Sequence, residues 1–459
     1  MFKPIRSGLN LAIAATLAGV GAGCTFSGVP GPPSPNYINS MWERASLAQP
    51  YATNRRTVYD DDLFQVQHGA SCARADSAVS VDNAGTYVYG IGINESIPIP
   101  AAYDTATVFL NGWQLKYRGE DHEVLGLSTA IVDIAQEDDT LRWKAGGILS
   151  DQNGDDEFAW CYYYTALLWK SHTFNLDATP NHSDEGAGLT FVSLGAPGQT
   201  SSYYVQTNLL EDFSDVPGAL LPRGFGAAWD HRGYTDAHDH HLQQLALKYG
   251  DPFTSTSEDG SGTDLFWQFE TVFKDRGYRD YYAAEVISTL NGDSVDVIQP
   301  DFDIYPGQQN GSPGYHDVIA QTIVVDDVPY DYAVPMLTGW DIGLNSNSDS
   351  HIRDIGVWIE SFDYAKDAGA TTGTLTYTIK SVFHDDGANG AGAPHYQVSI
   401  LGLNPKGIIV QNPTTGTIKE DPLPTPTTTS KPASTTGTVG GFDSGVSRFG
   451  TQTTTGSLR

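Results

Sequence analysis

Hydrophobic and polar residues alternate at period two in many short runs, and one such pattern recurs three times. Trp113-Gln114-Leu115-Lys116-Tyr117 puts three apolar side chains on one face, the spacing of a half-buried strand. Trp340-Asp341-Ile342-Gly343-Leu344 does the same. Between them, Phe225-Gly226-Ala227-Ala228-Trp229 alternates less cleanly. A glycine precedes each run: Gly112, Gly224 and Gly339, 112 and 115 residues apart. An apolar approach precedes each glycine: Val108-Phe109-Leu110, Ala219-Leu220-Leu221 and Val334-Pro335-Met336-Leu337.

A turn and an Asp-led heptad follow each run. The strongest heptad is Asp239-His240-His241-Leu242-Gln243-Gln244-Leu245. Asp121-His122-Glu123-Val124-Leu125-Gly126-Leu127 and Asp349-Ser350-His351-Ile352-Arg353-Asp354-Ile355 keep its aspartate and its two aliphatics. Further on, Trp143 to Leu149, Phe266 to Phe273 and Leu375 to Phe383 read as strands running into Asp-rich turns at Asp151, Asp275 and Asp385. The distance from heptad Asp to turn Asp is 30, 36 and 36 residues. A second strand leaves each turn, from Tyr162, Tyr281 and Tyr396. This predicts a hairpin at the same place three times.

Regular short strands with turn signals predict an all-β chain of three tandem antiparallel β-sandwich modules, jelly-roll-like. The period exceeds that of solenoid units, so domain duplication is expected. The boundaries read as modules at 56–176, 177–291 and 292–413, behind a tether at 24–55 and a leader at 1–23. Residues 37–47 read as a short helix capped by Asn39 or Ser40. Residues 414–459 are rich in Thr, Gly, Ser and Pro and poor in aliphatics, so a disordered tail is expected.

Composition agrees with strands and tight turns: 49 Gly, 25 Pro and 24 Tyr in 459 residues. With 55 acidic against 25 basic residues the net charge is −30. Such a surface repels nucleic acid, which is set aside as a partner.

The leader has Lys3 and Arg6 ahead of an apolar run from Leu9 to Val20. That run is short for a bilayer span and typical of a secretory signal peptide. It ends in Gly21-Ala22-Gly23-Cys24. Ala22 and Gly23 before a cysteine resemble the lipobox of bacterial surface lipoproteins, whose cysteine becomes the acylated first residue. Gly21 departs from the aliphatic usual there, and plain cleavage near Ala22 is the other reading. The resemblance covers the first 24 residues and implies lipidation at Cys24. It implies export and a lipid anchor in a membrane, at the cell surface or in the periplasm. The remaining cysteines, Cys72 and Cys161, pair as a disulfide in an oxidising compartment or stay as two buried thiols. A bridge would close a loop of about 90 residues, worth about 4–5 kcal/mol in the loop-entropy picture.

Three sets of residues carry candidate chemistry. His231, His238, Asp239, His240 and His241 supply the nitrogen and oxygen donors of a transition metal. In an extended segment His238 and His240 share a face, and His231 would add a third ligand. The structural alternative is a turn aspartate that bonds backbone N–H groups. Asp151, Asn153 and Asp155 imitate a calcium loop, with a solvated Asp-Gly hairpin turn as the alternative. Trp160, Tyr162 and Tyr164 would form a sugar-stacking platform, or else pack modules together. No nucleophile elbow, P-loop, HExxH or dinucleotide fingerprint is present. The reading is a cell-surface lipoprotein acting by binding, adhesion or assembly, with a glycan, a protein surface or its own copies as partner. The alternative is a metal-dependent polysaccharide-active enzyme centred on the His-rich segment.

Overall fold

The computed structural model describes residues 46–74, 89–119, 122–150, 157–170, 177–178, 189–193, 203–210, 218–229, 241–249, 253–256, 263–275, 281–291, 295–298, 318–344, 351–385, 394–404 and 418–419. The leader, Cys24, the tether up to residue 45 and nearly all of the Thr-rich tail lie outside them. Every regular element among the described residues is a strand, and almost every pairing is antiparallel.

The tether and first segment supply β1 (Ser46–Leu47), β2 (Ala52–Asp60), β3 (Phe64–Arg74), β4 (Tyr89–Pro98), β5 (Thr105–Tyr117), β6 (Gly126–Glu137), β7 (Thr140–Ser150) and β8 (Phe158–Trp169). The second supplies β9 (Asp177–Ala178), β10 (Leu189–Ser193), β11 (Tyr203–Leu210), β12 (Gly218–Trp229), β13 (Leu242–Tyr249), β14 (Phe253–Thr256), β15 (Thr263–Asp275) and β16 (Tyr281–Asn291). The third supplies β17 (Val295–Ile298), β18 (Ile319–Val328), β19 (Tyr332–Gly343), β20 (Asp354–Ala365), β21 (Gly373–His384) and β22 (His395–Leu403), with β23 (Ile418–Lys419) beyond it. The end of the stretch read as a helix is therefore strand β1, paired in parallel with β4.

The strands form three sheets, and each sheet draws on two segments. One runs β1-β4-β7-β6-β12-β16-β10, a second β11-β15-β13-β19-β22-β17, and a third β2-β3-β8-β5-β20-β21-β18-β23. The seams are β6–β12, β13–β19 and β20–β5. In each, the strand after one segment's heptad pairs with the glycine-bearing strand of another, in cyclic order. The registers are equivalent: Leu127 faces Ala227, Leu245 faces Ile342, and Ile355 faces Leu115. β5, β12 and β19 also pack on one another.

The expected hairpins are corrected by this topology. β7 is bordered by β4 and β6, β15 by β11 and β13, and β21 by β18 and β20. With both edges hydrogen-bonded, none can accept the next strand in sequence. β8, β16 and β22 therefore cross to a different sheet.

Each glycine-bearing strand carries a bulge at one place. Pairing with β8, β16 and β22 shifts register at Asn111, Arg223 and Thr338, the residue before each glycine. An extra residue there re-aims the strand, and all three are buried. The glycines follow from close approach. A Cβ at Gly112 would stand 2.2 Å from Trp358 Cα, and one at Gly224 2.4 Å from Ala130 Cβ.

The core is aromatic and aliphatic. On β8, Phe158, Trp160, Tyr162 and Tyr164 alternate inward, and Trp143 Nε1 donates to Tyr162 Oη at 3.0 Å. Cys72 and Cys161 face each other across β3 and β8 and are disulfide-bonded.

A buried polar network joins the first and third segments. Asn111 Nδ2 donates to Pro335 O at 2.9 Å and to Thr165 Oγ1 at 3.0 Å, and Leu337 N donates to Asn111 Oδ1 at 2.9 Å. His68 Nε2 lies 3.1 Å from Ile359 O, and Nδ1 3.1 Å from Thr165 Oγ1. A carbonyl only accepts, so Nε2 carries the proton and Nδ1 accepts from the hydroxyl. Burial, with Arg56 nearby, pushes the His68 imidazole down from 6.5 to about 4. A depressed folded-state value means that the unfolded chain takes up the proton first as pH falls. The stability held by neutral His68 is therefore full above pH 6.5. It declines by about 1.4 kcal/mol per pH unit, or about 3 kcal/mol by pH 4. Urea titrations of the parent and His68→Gln at pH 7, 6, 5 and 4 should show the gap between them closing over this window. A gap independent of pH would rule out the assignment.

Candidate functional site

Two arrangements of side chains stand out, both produced by the sharing of sheets. The first is a cationic cleft at one end of the third sheet. The order β2-β3-β8-β5-β20 sets Arg74 opposite Ala159, Ala159 opposite Lys116, and Lys116 opposite Asp354. Tyr51 is tied to the same end by its N–H to Cys72 O at 2.9 Å, and Arg353 by accepting from Tyr117 N at 2.9 Å. Tyr51, Arg74, Lys116, Tyr117, Arg118 and Arg353 line a cleft of about 390 Å³.

Four of those six are cations, and among the described residues no carboxylate lines the cleft. Among the described residues, Lys116 Nζ lies 3.3 Å from Asp354 and Arg118 pairs with Glu157, both carboxylates outside the lining. Burial raises the Asp354 carboxyl, opposed by hydrogen bonds from Gln114 and by Lys116. Tyr51 is 49% exposed, and the Arg74 guanidinium sits 4.4 Å from its ring centroid, a cation–π contact.

The second arrangement lies where the three segments meet. Glu123, His241 and His351 are the third residues of the three heptads, and their donor atoms all lie within 4.8 Å of one another. Equivalent backbone bonds hold the heptads: Trp229 N to Leu125 O at 3.0 Å, Leu344 N to Gln243 O at 2.9 Å, and Tyr117 N to Arg353 O at 2.9 Å. Reciprocal bonds between His122 and Ile352 lock the first heptad to the third. The next residues, Val124, Leu242 and Ile352, are fully buried. The aromatics after the glycines also meet across segments, with Trp340 edge-to-face against both Trp113 and Phe225.

Of the metal-ligating residues expected from the sequence, His241 enters this cluster. His231, His238, Asp239 and His240 lie outside the described residues, as do Asp151, Asn153 and Asp155. Trp160, Tyr162 and Tyr164 are not a surface platform. Their rings are buried, with Trp160 stacked on Tyr162 at 5.1 Å. They alternate inward on β8, so what read as a face for sugar is core. Sequence reasoning passed over Glu123 and His351 because it compared heptads for shared residues. The shared offset was the better signal, since equivalent positions of a cyclic assembly meet. It passed over the cleft because its cations span positions 74 to 353.

Comparison with protein families, curated proteins and solved structures finds no match.

Proposed function

We propose that this is an exported, lipid-anchored binding protein that recognises glycans carrying an isolated carboxylate or sulfate through the cleft at Tyr51 and Arg74. The observation that carries the reading is that cleft, four cations and two tyrosines on a chain of net charge −30. Arginine forks suit carboxylate and sulfate oxygens, and a half-exposed tyrosine offers a sugar an apolar face. The chain's overall charge repels long polyanions, so one acidic group on an otherwise neutral chain is the better match. The Cys72–Cys161 bridge suits an oxidising compartment outside the cytoplasm. In this reading the segments are one unit present three times, and Cys24 anchors it to the membrane.

A glycan array on the full chain, followed by calorimetry, tests it. Singly acidic glycans should bind and their neutral counterparts should not, with affinity falling as salt rises. Arg74→Ala and Tyr51→Ala should each weaken binding by about tenfold, since 1.4 kcal/mol is a factor of ten. Equal binding of neutral and acidic forms, or indifference to both substitutions, would remove the cleft from the account.

A further inference from the structure

We propose that Glu123, His241 and His351 form a binding site for one divalent transition metal of the zinc class, with one ligand from each segment. The site would tie the three segments together where they meet. It is distinct from the His-rich segment read as a metal candidate from sequence, sharing one residue with it.

The donor set is two imidazoles and one carboxylate, which zinc, cobalt and nickel accept and which calcium and magnesium do not favour. The scaffold brings the donors together without the metal, through the three equivalent N–H to O=C bonds and the buried residue that follows each ligand. His351 Nε2 stands 4.0 Å from Glu123 Oε1, and the His241 and His351 rings run parallel with centroids 5.1 Å apart. Zinc bonds to nitrogen and oxygen are about 2.0–2.2 Å, so the donors must close in modestly. His351 has the room, since its side chain is 43% exposed. A second observation points to a ligand independently: Glu123 Oε2 is buried and makes no hydrogen bond among the described residues. An orphaned carboxylate oxygen is costly unless something binds it. Three protein donors leave the fourth tetrahedral position to water or to an exchangeable ligand.

The competing account is a metal-free imidazolium–carboxylate pair between His351 and Glu123. The test therefore uses zinc and cobalt themselves on the untagged full chain after chelator treatment. Calorimetry should give one equivalent of zinc. Cobalt should give the visible absorption of a low-coordinate nitrogen–oxygen site. The thermal midpoint should rise with free zinc, as binding to the folded state requires, and calcium should do nothing. Glu123→Gln and His351→Ala should each weaken zinc binding by about tenfold or more, with circular dichroism unchanged. The double variant His238→Ala/His240→Ala should bind as the parent does. The proposal is overturned by no zinc binding at micromolar concentration, or by midpoints that follow pH and ignore zinc. It is equally overturned if zinc binding survives Glu123→Gln and His351→Ala but is lost in the double variant.

Discussion

Gly112→Ala should lower the stability of the chain by about 3–5 kcal/mol, a large share of the 5–15 kcal/mol that holds a typical fold together. Two costs add. Gly112 has φ of 142°, where L-residues store about 1–3 kcal/mol of strain. The new methyl would also enter the space of Trp358 Cα, 2.2 Å away. Backbone cannot swing aside as a flexible side chain can, so β20 must move off β5, an overpacking cost of about 1–3 kcal/mol. Gly119→Ala is the internal control, because a Cβ there meets nothing within 4 Å among the described residues, and its change should stay within about 0.5 kcal/mol. Urea unfolding of both, read by tryptophan fluorescence and far-ultraviolet circular dichroism, settles the matter. Equal midpoints for the two variants would mean that the seam between β5 and β20 is not as close as described.

Trp340→Ala is expected to cost about 3–5 kcal/mol, the range for deleting a buried aromatic. Trp340 is 6% exposed and meets Trp113 at 5.8 Å and Phe225 at 5.4 Å, both edge-to-face. Each such pair is worth about 0.5–1.5 kcal/mol beyond the area it buries. The indole N–H of Trp340 makes no hydrogen bond among the described residues, so Trp340→Phe keeps most of the packing and should cost under about 1.5 kcal/mol. The shape of the transition is as informative as its midpoint. Because every sheet spans two segments, the loss should move one cooperative transition for all probes. A separate early transition of the third segment alone would show that the segments fold independently, against the sharing of sheets.

The recurrence of the glycine–aromatic step was legible because it reflects a local constraint. A strand passing within van der Waals reach excludes a Cβ, and the aromatic after it fills the junction. The strand positions were legible for the same reason, since period-two alternation is a property of the pleat. The hairpins were misread because turn residues mark where a chain reverses, without saying which strand it then meets. That depends on which edges are already hydrogen-bonded. Trp160, Tyr162 and Tyr164 were misread because inward and outward faces of a strand look alike until the second layer is known.

The order of residues along the chain was enough to establish an all-β, strongly acidic protein with one pattern at three places, since composition and alternation act within a few residues. It could not establish that the strands after the heptads pair across segments, or that Glu123, His241 and His351 converge. Those depend on pairings between residues more than ninety positions apart. Cyclic pairing of three similar segments brings like offsets to one point, and the unlike residues there can be read together only after the strands have met.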